Sequence, residues 1–269
     1  MTDAAPAADD MTPPRFISVG SDARRIAVRT TPASGHADDS AGPGVLWCGG
    51  YLSDMRGTKA EALAQWGEQQ GRSVVRFDYS GHGESEGAFI DGTISRWAED
   101  ALAVFDRETK GPQIVVGSSM GGWVALLLAR ALAARGEAGR LAGLVLIAPA
   151  PDFTEALMWE AMTPDIRAEI MDSGVWYRPS DYGAPQPVTR ALIEDGRTNL
   201  VLGAPFAVGC AVRILQGVAD DVVPWQHAMK LVTCLAEDDV VLSLIKDGDH
   251  RLSRPEDLER ILDAIETIA

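Results

Sequence analysis

The pentapeptide Gly117-Ser118-Ser119-Met120-Gly121 constrains this chain more than any other stretch, because of what stands on either side of it. Before it runs the apolar, strand-like Gln113-Ile114-Val115-Val116. After it, Gly122-Trp123-Val124-Ala125-Leu126-Leu127-Leu128-Ala129 has the apolar face of a helix. A chain that passes from strand to helix in so few residues turns sharply. The central serine then sits in a strained backbone conformation, and the residues two before and two after it must be nearly side-chain-free. Gly117 and Gly121 occupy those places. Such a turn lifts the Ser119 hydroxyl above the sheet edge and points the helix's N–H groups and positive dipole end at the reacting oxygen. The same pattern also occurs as an ordinary Gly/Ser turn, so its meaning depends on partners elsewhere in the chain.

The rest of the chain alternates strand and helix. Arg15 to Gly20 and Arg24 to Thr30 are expected as an opening antiparallel pair. Strands follow at Val45–Cys48, Ser73–Phe77, Gln113–Val116, Leu144–Ile147, Val212–Leu215 and Val240–Ile245. Helices are expected over Lys59–Gln70, Ile94–Arg107, Gly122–Arg135, Gln226–Ala236 and Pro255–Ile268. Several strands are apolar throughout, as strands covered by helices on both faces must be. The expected fold class is α/β, with a mostly parallel central sheet of about eight strands flanked by helices. The 269 residues, 46% of them hydrophobic, suffice for one core. We therefore expect one domain over 15–269, behind a flexible acidic tail at 1–14. One interval breaks the alternation: residues 151–208 form an insertion of mixed helical character before the strand at Val212.

Composition narrows the partners. A formal net charge of −15 opposes binding to nucleic acid or to an anionic membrane. Cys48, Cys210 and Cys234 are isolated and odd in number, which fits neither a metal site nor a disulfide framework and suits a reducing compartment. No cofactor or metal is expected. The acidic, Ala/Pro-rich start has no signal-peptide core and no arginines typical of a transit peptide, and no apolar run reaches membrane-spanning length. These features set a cytoplasmic location as the expectation.

A serine on a strand-to-helix turn within a mostly parallel sheet resembles the α/β-hydrolase superfamily. In that arrangement an acid and then a histidine follow the serine in chain order. Of the four histidines, His36 and His82 precede Ser119. His227 begins an expected helix and reads as a helix-surface residue. His250, in Asp247-Gly248-Asp249-His250-Arg251 after the last strand, is the expected general base. For the acid, Asp220 resembles the aspartate of the superfamily's G-x-x-D-x-x-V-P turn, here Gly217 to Pro224. Asp221 reads as a solvated neighbour, and Asp249 stands too close to the histidine to reach the far side of its ring. The backbone N–H groups of Tyr51, after Gly49-Gly50, and of Met120 are the expected oxyanion donors. Asp78-Tyr79-Ser80-Gly81-His82-Gly83-Glu84-Ser85 matches a D-x-x-G-x-G-x-S loop frequent in this fold, with an architectural role expected for His82.

A closer resemblance lies in longer blocks. Gly50 to Ala60, Arg76 to Gly81, Gly111 to Trp123, Asp221 to Trp225 and Asp249 to Arg251 are similar to the palmitoyl-protein thioesterase group of α/β-hydrolase-domain proteins. Gly174-Val175-Trp176 with Pro179-Ser180 extends the likeness into the insertion, which in this superfamily caps the active site. The resemblance implies a serine esterase or thioesterase working through an acyl-enzyme on Ser119, with a small-molecule ester or thioester, or an acylated protein, as substrate. C–C or amide hydrolysis, or ligand binding without catalysis, remain open on the same residues. Met158, Trp159, Met162 and Trp176 are candidates for an apolar substrate pocket and equally for the insertion's own core.

Overall fold

The computed structural model describes residues 13–33, 42–179 and 185–268. Most of the tail at 1–14, much of the loop from Pro32 to Pro43, and Ser180 lie outside the described residues. In chain order the elements are β1 (Arg15–Val19), β2 (Arg24–Thr31), β3 (Gly44–Cys48), α1 (Thr58–Gln70), β4 (Val74–Phe77), α2 (Ile94–Glu108), β5 (Gln113–Ser118), α3 (Met120–Ala134) and β6 (Leu141–Ile147). The insertion then supplies α4 (Pro164–Ser173), β7 (Val175–Arg178), β8 (Gln186–Thr189) and α5 (Arg190–Thr198). After it come β9 (Ala211–Gly217), α6 (Trp225–Cys234), β10 (Val240–Ile245) and α7 (Pro255–Glu266).

Eight strands form one sheet in the order β1-β2-β4-β3-β5-β6-β9-β10. Only β2 runs against its neighbours; β4, β3, β5, β6, β9 and β10 are parallel. Parallel strands buried on both faces are mostly apolar, and β4 and β5 are buried throughout, with Arg76, Gln113 and Ser118 their polar positions. Successive residues serve opposite faces. Ile114 and Val116 of β5 pack with Leu63 of α1 and Ile261 of α7, while Val115 packs with α2 and α3. Helix α3 is the most enclosed of these helices: eleven of its residues are buried, from Met120 to Leu132.

The chain runs from β3 outward to β4, then crosses back to β5 on the other side of β3. At such a reversal the loops after the two central strands diverge and leave a crevice at the carboxyl ends. Here those loops are Gly49–Ser53 and Ser119. The turn into α3 requires its glycines for lack of room: a Cβ on Gly117 would stand 2.4 Å from the Gly121 carbonyl oxygen, and one on Gly121 would stand 2.0 Å from that of Cys48.

The insertion departs from the helical character expected of it. Besides α4 and α5 it contains the antiparallel hairpin β7–β8. Each strand has four residues and β8 contains Pro187, too short and too irregular for a period-two pattern. The base of the insertion is clamped by Asp152, whose carboxylate accepts the Val201 and Leu202 N–H groups at 2.9 and 2.8 Å.

A backbone clash of this kind cannot be relieved by a rotamer change. Gly121→Ala is expected to cost at least about 3 kcal/mol of unfolding free energy, at the upper end of point-mutant effects. Urea denaturation measures it, and a loss below about 0.5 kcal/mol would show that α3 can shift away from β3.

Candidate active site

Ser119 is the residue the turn distorts. Its φ of 53° and ψ of −117° lie outside the helical and strand regions. Its N–H donates to the Ile147 carbonyl at 2.9 Å, which fixes the turn to β6. The hydroxyl is thereby carried to the loop after β10, where it meets His250.

Three side chains from three loops join in series. Ser119 Oγ lies 3.1 Å from His250 Nε2, and His250 Nδ1 lies 2.8 Å from Asp220 Oδ2. A carboxylate can only accept, so Nδ1 carries the proton and Nε2 is free to accept from the serine hydroxyl. Asp220 is buried, and burial alone would favour its neutral form. The His250 imidazole and the N–H groups of Val223 and Val222 outweigh that effect and hold its carboxyl below the ordinary carboxylate value. Asp220 Oδ1 accepts those two N–H groups at 2.8 and 2.9 Å. Asp221 is exposed and points elsewhere. Asp249 accepts the Arg251 and Leu252 N–H groups at 3.1 and 3.0 Å, which shapes the turn that presents the histidine.

One contributor escaped the sequence analysis. Gln216, fully buried at the end of β9, donates from Nε2 to Asp220 Oδ2 at 3.1 Å and to the Val223 carbonyl at 3.0 Å. Its sequence signal was a polar residue near the end of a strand that is apolar apart from Arg213.

Tyr51 and Met120, whose amides are the expected oxyanion donors, both line the cavity above Ser119, and among the described residues neither amide has a hydrogen-bond partner. The loop holding Tyr51 comes close: a Cβ on Gly50 would lie 3.6 Å from that of Ser119. Two contacts fix that loop. The Tyr51 ring packs edge-on against Phe89, Trp97 and Phe153. The next residue, Leu52, has a φ of 60°, and its N–H donates to His82 Nε2 at 3.3 Å. His82 Nδ1–H therefore donates to the Ser80 carbonyl. Burial pushes this imidazole down to about 4, so the ring stays neutral and accepting. His227, expected on a helix surface, is instead 4% exposed and its Nε2 lies 2.6 Å from the Pro151 carbonyl oxygen. The insertion covers that face of α6, which an amphipathic pattern alone could not reveal.

The cavity of about 250 Å³ above Ser119 has Phe153, Leu157 and Met158 on its apolar side and Val222 and Val223 near the acid turn. Of the four pocket candidates only Met158 lines it, and Met158 packs against the insertion's core as well. Trp159, Met162 and Trp176 pack instead around Ile170, Val188 and Ile193 in the insertion's own core, and the Arg197 guanidinium stacks on Trp159 at 4.6 Å. A small insertion must bury its largest apolar side chains to hold together, and these three do so. A second cavity, about 420 Å³, meets the first at Ser119 and His250 and has Thr58, Lys59 and Arg251 on its walls. Lys59, pushed down to about 8 by burial, donates to the Arg251 carbonyl and ties α1 to the loop that carries His250.

Burial pushes the Cys48 and Cys210 thiols up to about 12. Among the described residues no three His, Cys, Asp or Glu side chains are grouped to hold a metal ion, and no helix is long and apolar enough to cross a membrane.

The chain is similar to known hydrolases. Residues 45–175 match the family described as serine aminopeptidase, S33. The human palmitoyl-protein thioesterase ABHD10, mitochondrial, is 35% identical over 84% of this chain and 72% of its own length. The solved structure of mouse α/β-hydrolase domain-containing protein 10 superposes with a TM-score of 0.81 at 32% identity, covering 96% of this chain and 98% of that one. A structure from Agrobacterium vitis S4, whose protein has a provisional hydrolase designation, gives 0.87 at 49% identity over 95% and 97%. The ABHD10 relatives of human and mouse are named as mitochondrial, which overturns the expected cytoplasmic location. Isolated thiols indicate a reducing environment without distinguishing one such compartment from another.

The neutral state of His82 has a measurable consequence. Unfolding returns the ring to its ordinary value near 6.5, so its contribution to stability is complete above that pH and is lost as pH falls toward about 4. The stability advantage of the unaltered protein over His82→Gln should therefore shrink by about 2 kcal/mol between pH 7 and 4.5. Taking the difference between the two proteins cancels Asp78, whose carboxyl burial pushes up to about 6 and which acts in the opposite sense. Paired denaturation curves test this, and a constant difference would mean that the ring binds its proton equally well folded and unfolded.

Proposed function

The chain belongs to the α/β-hydrolase superfamily, alongside the ABHD10 proteins, and on that premise we propose that it hydrolyses carboxylic esters or thioesters with Ser119 as nucleophile, His250 as general base and Asp220 as the orienting acid. The observation that carries this reading is the continuous series of contacts from the Ser119 hydroxyl through His250 to Asp220. As Ser119 Oγ attacks the carbonyl carbon, its proton passes to His250 Nε2, and the Asp220 carboxylate stabilises the resulting imidazolium. Negative charge develops on the carbonyl oxygen, where the Tyr51 and Met120 N–H groups would hold it; each such donor is worth about 3 kcal/mol. His250 then protonates the departing alcohol or thiol. Water, deprotonated by the same ring, releases the acid from Ser119.

The insertion at 151–208 acts in this reading as a cap, and the two cavities meeting at Ser119 provide for the two halves of a substrate. The apolar side of the smaller one suits an acyl chain. Small-molecule esters and thioesters, or the acyl group of an acylated protein, are the substrates this reading admits. The same groups would also cleave an amide, and the serine aminopeptidase description of the matching family makes aminoacyl amides the control substrates to include.

A fluorophosphonate should label Ser119 and fail to label Ser119→Ala; an adduct on Ser118 would sink the assignment. Asp220→Asn should lower kcat by about 10⁴-fold by favouring the wrong imidazole tautomer, while Asp221→Asn should change it little.

Chain length gives a separate test. Each buried methylene adds about 0.8 kcal/mol, so kcat/KM for nitrophenyl esters should climb from acetyl to medium-chain acyl groups and then level once the cavity is filled. Met158→Ala should flatten that climb. Trp176→Ala should lower stability and leave the slope alone, and the reverse pattern would mean the cap has been misassigned.

A further inference from the structure

Among the described residues, Arg178 is the one side chain with a permanent charge that lines the cavity above Ser119. This chain carries a formal net charge of −15, so an arginine there is not the by-product of a basic surface. Its placement is built. Arg178 closes β7 and stands directly opposite Gln186 at the start of β8, and both side chains border the cavity. Arg178 Nη2 donates to Gln186 Oε1 at 2.5 Å. One residue further along β8, the Pro187 carbonyl accepts the Tyr51 hydroxyl at 3.3 Å, which pins the hairpin to the loop bearing the Tyr51 amide. The guanidinium is near enough to that phenol to favour its ionised form, although burial dominates and pushes the phenol well up. Among the described residues no carboxylate forms an ion pair with Arg178, whereas Arg24, Arg135, Arg197 and Arg254 all have such partners. Arg178 is exposed and so stands at the rim of the apolar cavity; a planar donor fork steered there by a neutral amide is suited to an oxyanion such as a carboxylate or phosphate.

We infer that Arg178, oriented by Gln186, is a specificity-determining residue that binds an anionic group of the substrate, a carboxylate or phosphate a few bonds from the scissile carbonyl. This rests on the proposed hydrolase reading and specifies its substrate class: half-esters and half-thioesters of diacids if the anion is on the acyl side, or esters of acidic alcohols and thiols if it is on the leaving group. Arg178 takes no part in the bond-making steps, so it alters the choice of substrate and leaves the chemistry to the groups below it.

The test uses matched pairs. On the acyl side, 4-nitrophenyl hemiadipate is compared with its uncharged adipamate analogue. On the leaving-group side, 4-carboxyphenyl butyrate is compared with 4-carbamoylphenyl butyrate. In at least one pair the unaltered protein should favour the anion by about fivefold or more in kcat/KM, the scale of a partly exposed charge pair. Arg178→Gln should bring that ratio close to one through KM, with turnover of the neutral member unchanged within about twofold, and Arg178→Lys should retain part of it. The pair that responds identifies the side on which the anion sits. Equal kcat/KM within both pairs, or a preference that survives Arg178→Gln, would overturn the inference while leaving the hydrolase reading intact. Failure of the neutral esters and of fluorophosphonate labelling would instead overturn the hydrolase reading. In that case calorimetry with Ser119→Ala protein decides about Arg178 separately: monoethyl adipate should bind about fivefold tighter than ethyl hexanoate, and equal affinities would refute the subsite.

Discussion

The backbone at Ser119 is the constraint from which the rest of the site follows. A non-glycine residue at a φ of 53° is held there only if its surroundings overdetermine it, and here they do. The Ser119 N–H is bound to Ile147 of β6, its carbonyl accepts from Gly122 and Ala150, and the flanking glycines let α3 close onto β5 and β3. Relaxing the residue would therefore mean parting three strands. The same geometry leaves the Met120 amide free at the helix start and lifts the hydroxyl toward the loop after β10. Strain at one residue, supported by the stiffest part of the sheet, thus sets the positions of nucleophile candidate and amide donor together.

The loops that complete the site are positioned by buried polar groups whose ionisation states are fixed by their surroundings. Asp220 is kept anionic by two backbone N–H groups, Gln216 and the His250 ring, so it orients the imidazole without competing for its proton. His82 is kept neutral by burial and accepts from Leu52, which a protonated ring could not do. Lys59 links α1 to the histidine loop through a backbone carbonyl. These contacts cross between elements far apart in sequence. A polar group buried without its partner costs more than the bond it makes contributes. The loops after β3, β4, β9 and β10 therefore hold one another in place.

How much of this could be read from the sequence follows from the range of the forces involved. The eight sheet strands and the helices that flank them were legible because a buried parallel strand must be mostly apolar, and β5 and α3 say so without ambiguity. The proximity of Ser119, Asp220 and His250 was legible because their types, order and loop positions are local facts. The hairpin was not, since four-residue strands carry too little pattern, and neither was the burial of His227, which depends on a segment folding over α6 from 76 residues away. Gln216 shows the same limit: nothing in the sequence says which carboxylate a lone polar residue at a strand end will meet. The methionines and tryptophans of the insertion illustrate a competition that composition cannot decide, because a core and a pocket recruit the same side chains.

The structure resolves that competition, and its resolution bears on specificity. A segment between β6 and β9 that folds around Ile170, Val188 and Ile193 needs Trp159, Met162 and Trp176 for its own cohesion. It can spare only its edges for a ligand. Those edges are the π-helical turn Thr154–Trp159, carrying Leu157 and Met158, and the loop end of the β7–β8 hairpin, carrying Arg178 and Gln186. The first is apolar and adaptable. The second is polar and is held by main-chain pairing and by the Tyr51 hydroxyl. Below both, the elements around Ser119 are fixed by the sheet and tolerate little change. Variation at the two edges can therefore alter which acyl or leaving group is accepted at small cost to the fold, whereas variation beneath them would disturb the turn at Ser119. Specificity in such a molecule is set by what the insertion does not need for itself.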